Sequence, residues 1–272
     1  FASGLLLLSS LALGQSDGAN RIQEAMAPLR DAPSIWIRMA GGEILGGALL
    51  PLSGDLFFTI RGPSETLLLE ALEYRGGSTT QRVVGDGVSL WAYSYSRNEY
   101  SASLYGAFAG PQPPTYRSNL LVSLQLHLAG VWGYAGRVLR EIYGGEMAQY
   151  SQWVLRARED IVQQGSPPLR DALVPSRVYT GNPVRQYVVY TLGNPARRSI
   201  AFERIWTTRP GGSDGWLLSR IFIAEYQRLG AKDRLVDVAI ELYPNMVPTS
   251  ADFTFRPPQG SKPVSGPRPI GG

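Results

Sequence analysis

The sequence predicts an α+β protein built mainly on an antiparallel sheet. Gly and Pro are abundant, at 31 and 20 of 272 residues, which favours many short strands joined by turns over a helical bundle. Alternating apolar and polar residues run through two stretches of the chain, as in half-buried strands. A leucine-rich segment, 116–165, separates the two stretches and is predicted to be a helical insertion. Hydrophobic residues make up 44% of the chain, enough for one domain with a sizeable core.

The first fourteen residues are predicted to be an export signal. Residues 4–13 form a short apolar run, and Ala12 and Gly14 supply the small side chains that signal peptidase requires before Gln15. The run is too short to span a bilayer. Neither Met nor a basic segment precedes it, so we expect this start to be truncated. A buried N-terminal helix is the alternative.

The first element after the signal is predicted to be an amphipathic helix over residues 19–29. Ile22, Met26 and Leu29 form its apolar stripe. Pro33 stops this helix, and a strand is predicted to follow over residues 34–40. The glycine-rich stretch 41–54 is expected to be a bend or a long hairpin loop.

Antiparallel strands are predicted to follow on both sides of the insertion. Asp86-Gly87 interrupts an alternating run and indicates a tight turn. A last, short edge strand is expected at 253–256, and the Pro/Gly-rich tail 265–272 is predicted to be disordered. The other predicted strands are 56–61, 66–74, 81–95 (broken at 85–87), 185–192, 199–207, 216–227 and 234–242.

The central insertion is predicted to hold two helices. Residues 118–136 carry no charge and are rich in Leu, 137–143 continue the helical pattern, and a more polar helix is expected over 146–164. An uncharged window of this length is also compatible with a membrane span. A helix that covers a large sheet shows the same apolarity. We favour this second interpretation, in which the segment does not span a membrane.

Side-chain catalysis has little support, and we expect neither an enzyme nor a cofactor. The chain has no cysteine and one histidine, His127, so thiolate chemistry is excluded and a Ser-His-Asp triad has one available base. Residues 211–215 match G-x-S-x-G, but they lie between strand patterns and predict a hairpin loop. No pair of carboxylates is expected to converge on one catalytic site. Glu70 and Glu73 are expected on opposite strand faces, and Glu159 and Asp160 are expected on the solvated face of a helix.

The charge pattern excludes some partners and favours others. The formal net charge is +4, a mild excess that favours contact with anionic surfaces such as lipid headgroups. The arginines are scattered and form no basic stripe, so nucleic-acid binding is not expected.

Four local phrases carry a resemblance to a known family. They are the helix 19–31 that leads into a strand; Arg61-Gly62-Pro63 before the strand from Thr66; the hairpin 84–93, V-G-D-G-V-S-L-W-A-Y, with Asn98-Glu99-Tyr100; and the closing phrase 253–262, F-T-F-R-P-P-Q-G-S-K, preceded by Tyr243-Pro244-Asn245. In this order they resemble the outer-membrane lipoprotein-sorting (LolA/LolB-like) superfamily. The resemblance implies an incomplete, curved antiparallel β-barrel whose concave face is covered by helices, here over residues 15–264 with an enlarged insertion.

The resemblance also implies a function and a site. Its members bind acyl chains of lipids or lipoproteins in the concavity, which implies a periplasmic or secreted carrier or sensor, with lipid or lipoprotein acyl chains and membrane-associated envelope proteins as partners. The alternative is a structural or protein-interaction module of the envelope whose own helices fill the concavity. Strand alternation and the central helix predict which residues line the concavity; packing of the same residues in an ordinary core is the alternative interpretation. These residues are Leu56, Phe58, Ile60, Trp91, Tyr93, Tyr95, Leu124, Leu128, Val131 and Phe202.

Overall fold

The computed structural model describes residues 20–61, 66–104, 157–164, 185–192, 198–208, 212–229 and 232–265. Within these ranges the chain forms one helix, α1, over residues 20–31, and twelve strands. The strands are β1 Ser34–Leu45, β2 Ala48–Arg61, β3 Thr66–Arg75, β4 Ser78–Gly85, β5 Ser89–Ser94, β6 Glu99–Leu104, β7 Ala157–Gln164, β8 Arg185–Leu192, β9 Arg198–Thr208, β10 Asp214–Leu229, β11 Lys232–Pro244 and β12 Lys262–Pro263.

The strands hydrogen-bond in the order β12-β6-β5-β4-β3-β2-β1-β11-β10-β9-β8-β7. Neighbours from β2 to β6, and from β7 to β11, pair antiparallel, while β12 pairs with β6 in parallel. Over the part of the chain that the structure describes, this order has two ends, so the sheet is open. The prediction of a mainly antiparallel sheet is confirmed there.

The sequence predicts a bend or a long loop over the glycine-rich stretch 41–54, and this prediction is wrong. β1 continues to Leu45, and β2 starts at Ala48. Only Gly46 and Gly47 turn the chain, with φ angles of 58° and 86°. Two successive residues with positive φ match the backbone twist of a tight hairpin, and glycine adopts that conformation without steric cost. The glycines therefore shorten the connection and leave the flanking residues free to pair.

The helix predicted over 146–164 is wrong for its second half, because residues 157–164 form β7. Ile161 and Val162 pair with Val189 and Val188 of β8. The ladder between these β-branched residues prevails over the helical spacing of the local sequence. The rest of the predicted insertion, including the uncharged window 118–136, lies outside the described residues. Among the residues that are described, no helix is long and apolar enough to cross a membrane.

The predictions for the turns are confirmed, and the prediction for the last strand is wrong. Asp86-Gly87 joins β4 to β5, and residues 212–213 precede β10, so the G-x-S-x-G match lies at a hairpin and not at a strand-to-helix elbow. Residues 253–256 are not a strand. The short edge strand is β12, at Lys262–Pro263, which pairs with β6. The side chain of Phe255 packs on a sheet face, so this segment crosses the sheet and does not extend its edge.

The chain divides into two compact units. Unit 1 comprises residues 1–31, 43–50 and 146–241; unit 2 comprises 32–42, 51–145 and 242–272. In unit 1, α1 buries Ile22, Ala25, Met26 and Leu29, each at most 1% exposed, which confirms the predicted apolar stripe. In unit 2, the core lies on the strands that include β2 to β5.

Candidate functional site

One face of the sheet in unit 2 is apolar and buried. The register aligns Leu56 with Ala71 and Ala71 with Val83, and places Leu69 opposite Phe58. Alternation places the side chains of these residues on one side of the sheet. None of them is more than 6% exposed. We call this set the apolar face: Ile35, Ile37, Leu56, Phe58, Leu69, Ala71, Val83 and Leu90.

Glu73 marks the polar end of the apolar face. It pairs with Gly54 and Gln81, so alternation from Leu69 and Ala71 places it on the same side of the sheet. Its Oε1 accepts a hydrogen bond from Arg75 Nε at 2.9 Å. Its Oε2 is buried and has no hydrogen-bond partner among the described residues. A buried acceptor of this kind gains free energy from any donor that reaches it.

The opposite face of unit 2 is polar and is crossed by residues 245–264, which we call the strap. Glu70 is 3% exposed and accepts hydrogen bonds from Arg82 Nε at 2.8 Å and from the Asp252 amide at 2.9 Å. Arg82 also donates to the Asp252 carbonyl oxygen at 2.9 Å. Burial alone would lower the pKa of Arg82, but the hydrogen bond and the charge of Glu70 raise it above its usual range. This network fixes the strap to β3 and β4.

Further along the strap, Phe255 completes an aromatic cluster on the same face. Its ring stacks on Trp91 at 5.3 Å and lies 6.1 Å from Tyr93 and 5.9 Å from Tyr100. Asn98 joins the two segments, since it accepts a hydrogen bond from the Tyr93 hydroxyl and donates to the carbonyl oxygen of Gly260. The hairpin phrase 84–93 and the closing phrase 253–262 are therefore packing partners.

Asp86 supports the same cluster from the β4–β5 turn. Its carboxylate accepts hydrogen bonds from the amides of Val88 and Ser89 and, at 3.1 Å, from Trp91 Nε1. Burial alone would raise the pKa of Asp86, but the hydrogen bonds from Ser89, Val88 and Trp91 lower it below its usual range. One side chain thus caps the turn and orients the indole of Trp91.

The structure separates the residues that the sequence nominated together. Leu56 and Phe58 lie on the apolar face, and Ile60 lies in the same strand. Trp91 and Tyr93 lie on the strap face, because Trp91 pairs with Val84, which pairs with Glu70. The two groups cannot line one concavity, and a ring of the chain itself, Phe255, covers the second. Contact between a ligand and the first group stays a prediction.

The remaining nominated residues divide as follows. Tyr95 is 46% exposed, and its ring packs edge-on against Tyr93 at 4.7 Å. Phe202 belongs to unit 1, where it is 2% exposed. Leu124, Leu128 and Val131 lie outside the described residues.

In unit 1, Arg204 fixes α1 over an apolar strand face. Its Nη1 donates to the Arg21 carbonyl oxygen and to Glu24, at 3.3 and 3.2 Å, and its guanidinium lies 4.1 Å from the ring centre of Trp216. Arg204 lies two residues from Phe202 in β9, so both side chains lie on the side of the sheet that α1 covers. The apolar residues of that side are Ile200, Phe202, Ile221, Ile223, Val236, Val238 and Ile240, all buried.

The other side of unit 1 carries a buried ionic cluster that the sequence analysis missed. Arg220 Nε lies 3.2 Å from a carboxylate oxygen of Glu241 and 3.6 Å from one of Glu203, and all three residues are at most 4% exposed. Ser219 donates to Glu203 Oε1 at 2.7 Å. Charges of opposite sign in facing strands were the available signal, but the strand register is needed to pair them. Removal of one partner from such a cluster leaves an uncompensated buried charge, which is strongly destabilising.

The comparisons with known proteins give structural likenesses at low identity. No protein-family model matches the sequence, and neither does any curated protein. The chain is similar to the crystal structure of LprF from Mycobacterium bovis, at 10% identity and a TM-score of 0.42, over 88% of this chain and 98% of that one. It is also similar to a DUF1329 family protein from Desulfovibrio piger, at 9% identity and a TM-score of 0.33, over 90% and 97%. A third likeness, to a structure described as "lipid-protein interactions in lipovitellin", has 10% identity and a TM-score of 0.29, over 82% of this chain and 26% of that one.

At TM-scores below 0.5, these likenesses carry no argument about what this chain binds.

Proposed function

We propose that this chain is an exported envelope protein that binds the acyl chains of lipids or lipoproteins on the apolar face of unit 2, as a non-catalytic carrier or sensor. The observation that carries the proposal is the segregation of the two faces. Aliphatic and Phe side chains occupy the apolar face as far as its polar end at Glu73, while the Arg82–Glu70 ion pair and the strap occupy the other. A buried methylene contributes about 0.8 kcal/mol, so a chain of ten or more methylenes needs no charged group for tight binding.

The strap occupies the opposite face, which leaves the buried apolar face as the candidate for acyl binding. Phe255, Asp252 and Gly260 contact the opposite face, through the aromatic cluster, through Glu70 and through Asn98. The chain therefore covers that face with its own residues. On the apolar face, Glu73 supplies a polar end where a headgroup hydroxyl or amine can donate to Oε2, and the aliphatic residues beyond it suit hydrocarbon.

Lipid analysis of the purified full chain tests the proposal. We expect co-purifying lipid in the solvent extract, a matching mass increase in native mass spectrometry, and binding of the fluorescent fatty acid cis-parinaric acid. A protein that is lipid-free by native mass spectrometry and gives no parinaric acid signal would overturn the proposal.

A matched pair of variants locates the site. Ala71→Leu adds bulk at a position that is 1% exposed on the apolar face, between Leu56 and Val83. Ala102→Leu makes the same change at an exposed position opposite Trp91. We expect Ala71→Leu to weaken parinaric acid binding at least about tenfold and Ala102→Leu to leave it unchanged, with both thermal transitions retained. Equal affinities for the two folded variants would place the ligand elsewhere.

A structural or protein-interaction module is the second candidate, and α1 favours it. Ile22, Ala25, Met26 and Leu29 are buried as completely as core residues, so in unit 1 the chain already covers its own apolar strand face. This candidate predicts a lipid-free protein whose α1 amides exchange as slowly as those of the central strands. Co-purifying lipid that Ala71→Leu removes would exclude it.

A further inference from the structure

The hairpin between β1 and β2 ends in an exposed apolar tip, residues 44–51, with the sequence I-L-G-G-A-L-L-P. No side chain in this stretch is polar, and the sequence stays apolar through Leu52. Leu49 is 66% exposed, Leu50 46% and Ile44 38%. A Cβ built at Gly47 would have no atom within 4 Å, so the turn stands clear of the described residues. Hairpin turns in soluble proteins are normally polar, and a contiguous exposed apolar patch marks a binding surface.

The neighbouring strand extends the same surface. Arg234 of β11 forms an ion pair with Glu43, with Nε and Oε1 2.6 Å apart, and this contact places the start of β11 beside the base of the tip. The next residue, Leu235, is 40% exposed. Glu43 and Arg234 neutralise each other at the base of the tip. Removing this edge from water therefore does not leave an unpaired charge.

The sequence of the adjacent hairpin supplies positive charge at that edge. Leu229 of β10 pairs with Lys232 of β11, and Arg228 of β10 pairs with Asp233 of β11. The two cations outnumber the one carboxylate. The tip and the paired ends of β10 and β11 thus combine aliphatic residues with basic ones, which is the composition of a surface that enters the headgroup region of an anionic bilayer.

From this composition we propose that the tip, residues 44–51, docks unit 1 on the surface of a lipid bilayer. Protein interfaces centre on aromatic or arginine anchors with directional hydrogen bonds. The tip offers only aliphatic side chains, glycine and proline, which suit a fluid hydrocarbon layer that imposes no register. Leu49, Leu50 and Ile44 enter the acyl boundary, and the excess of positive charge in the sequence 228–233 favours an anionic bilayer. Acyl binding on the apolar face of unit 2 is a separate property, and neither depends on the other.

The absence of cysteine from the sequence gives a single-site test. Ala48→Cys at the tip and Val88→Cys at another hairpin turn, where Val88 is 68% exposed, are each labelled with the polarity-sensitive dye NBD. With vesicles of phosphatidylethanolamine and phosphatidylglycerol, we expect a blue shift and increased emission at position 48 and no change at 88. An unchanged signal at 48, or equal changes at both positions, would overturn the proposal.

Vesicle flotation tests the energetic role of the leucines. Leu49→Ser with Leu50→Ser should lower the bound fraction at least about tenfold, while Val88→Ser should leave it unchanged. If the double variant fails to fold, the dye-labelled proteins still decide the question. Tip-dependent self-association without vesicles, seen by light scattering and lost in the double variant, would overturn the proposal in favour of a protein interface. Parinaric acid binding should survive in the double variant, so failure of docking is distinguishable from failure of the proposed function.

Discussion

Replacement of Phe255 by alanine tests whether the strap stabilises unit 2 through the aromatic cluster. Complete truncation of a buried Phe costs about 3–5 kcal/mol. Phe255 is partly exposed, so we expect about half of that, roughly 2 kcal/mol. The stacked pair with Trp91, at 5.3 Å, should contribute about 1 kcal/mol of this as a coupling energy.

The assay is urea unfolding followed by far-UV circular dichroism, which does not depend on the tryptophan signal. A double-mutant cycle with Trp91→Ala isolates the ring pair. Arg256→Ala, at the exposed neighbouring position, is the control and should change the free energy of unfolding by less than about 0.5 kcal/mol. A loss below about 0.5 kcal/mol for Phe255→Ala, or a coupling energy of zero, would show that the strap does not pack on β5 as described.

Three further perturbations follow from the ion pairs and hydrogen bonds. Arg82→Met leaves Glu70 buried without its cation and should cost about 3 kcal/mol in urea unfolding; adding Glu70→Gln should restore part of this, and no restoration would contradict the pairing. Asp86→Asn should change the pH dependence of stability: because hydrogen bonds lower the pKa of Asp86 in the folded state, its contribution is present above the unfolded pKa of about 3.9 and is lost as pH falls through the folded pKa. The difference between wild type and Asp86→Asn in unfolding free energy should therefore shrink in acid, and a difference independent of pH would refute this. Arg204→Leu should release α1, so its amides should exchange at least about tenfold faster in hydrogen exchange mass spectrometry, and unchanged protection would show that Arg204 does not fix the helix.

Much of the local structure could be predicted from the sequence because the signals were short-range. The apolar stripe of α1, the Asp86-Gly87 turn and the alternation in β8 to β11 each depend on residues a few positions apart. The wrong secondary-structure assignments lie where contacts between residues far apart in the sequence decide the conformation. Residues 157–164 have helical spacing but pair with β8, and residues 253–256 alternate like a strand but pack across a sheet face.

The candidate site shows the same limit more sharply. Alternation placed Leu56 with Phe58, and Trp91 with Tyr93, on common faces within their own strands. It could not say whether the two strands present those faces to the same side, since that depends on the register through β3 and β4. For the same reason the partners of Glu70, Arg82 and Asp252 could not be named, because Asp252 lies 182 positions from Glu70.

That separation has a consequence for how the chain matures. The strap follows its partners in β3 to β6 along the sequence, so it is synthesised after them, and contacts of such long sequence separation form slowly. Until the strap arrives, Trp91, Tyr93 and Tyr100 lack the ring that covers them, so a chain that stops before the strap carries a bare aromatic surface that quality-control proteases and chaperones can recognise. Closure of the strap thus ties the integrity of unit 2 to a segment that is made well after its packing partners.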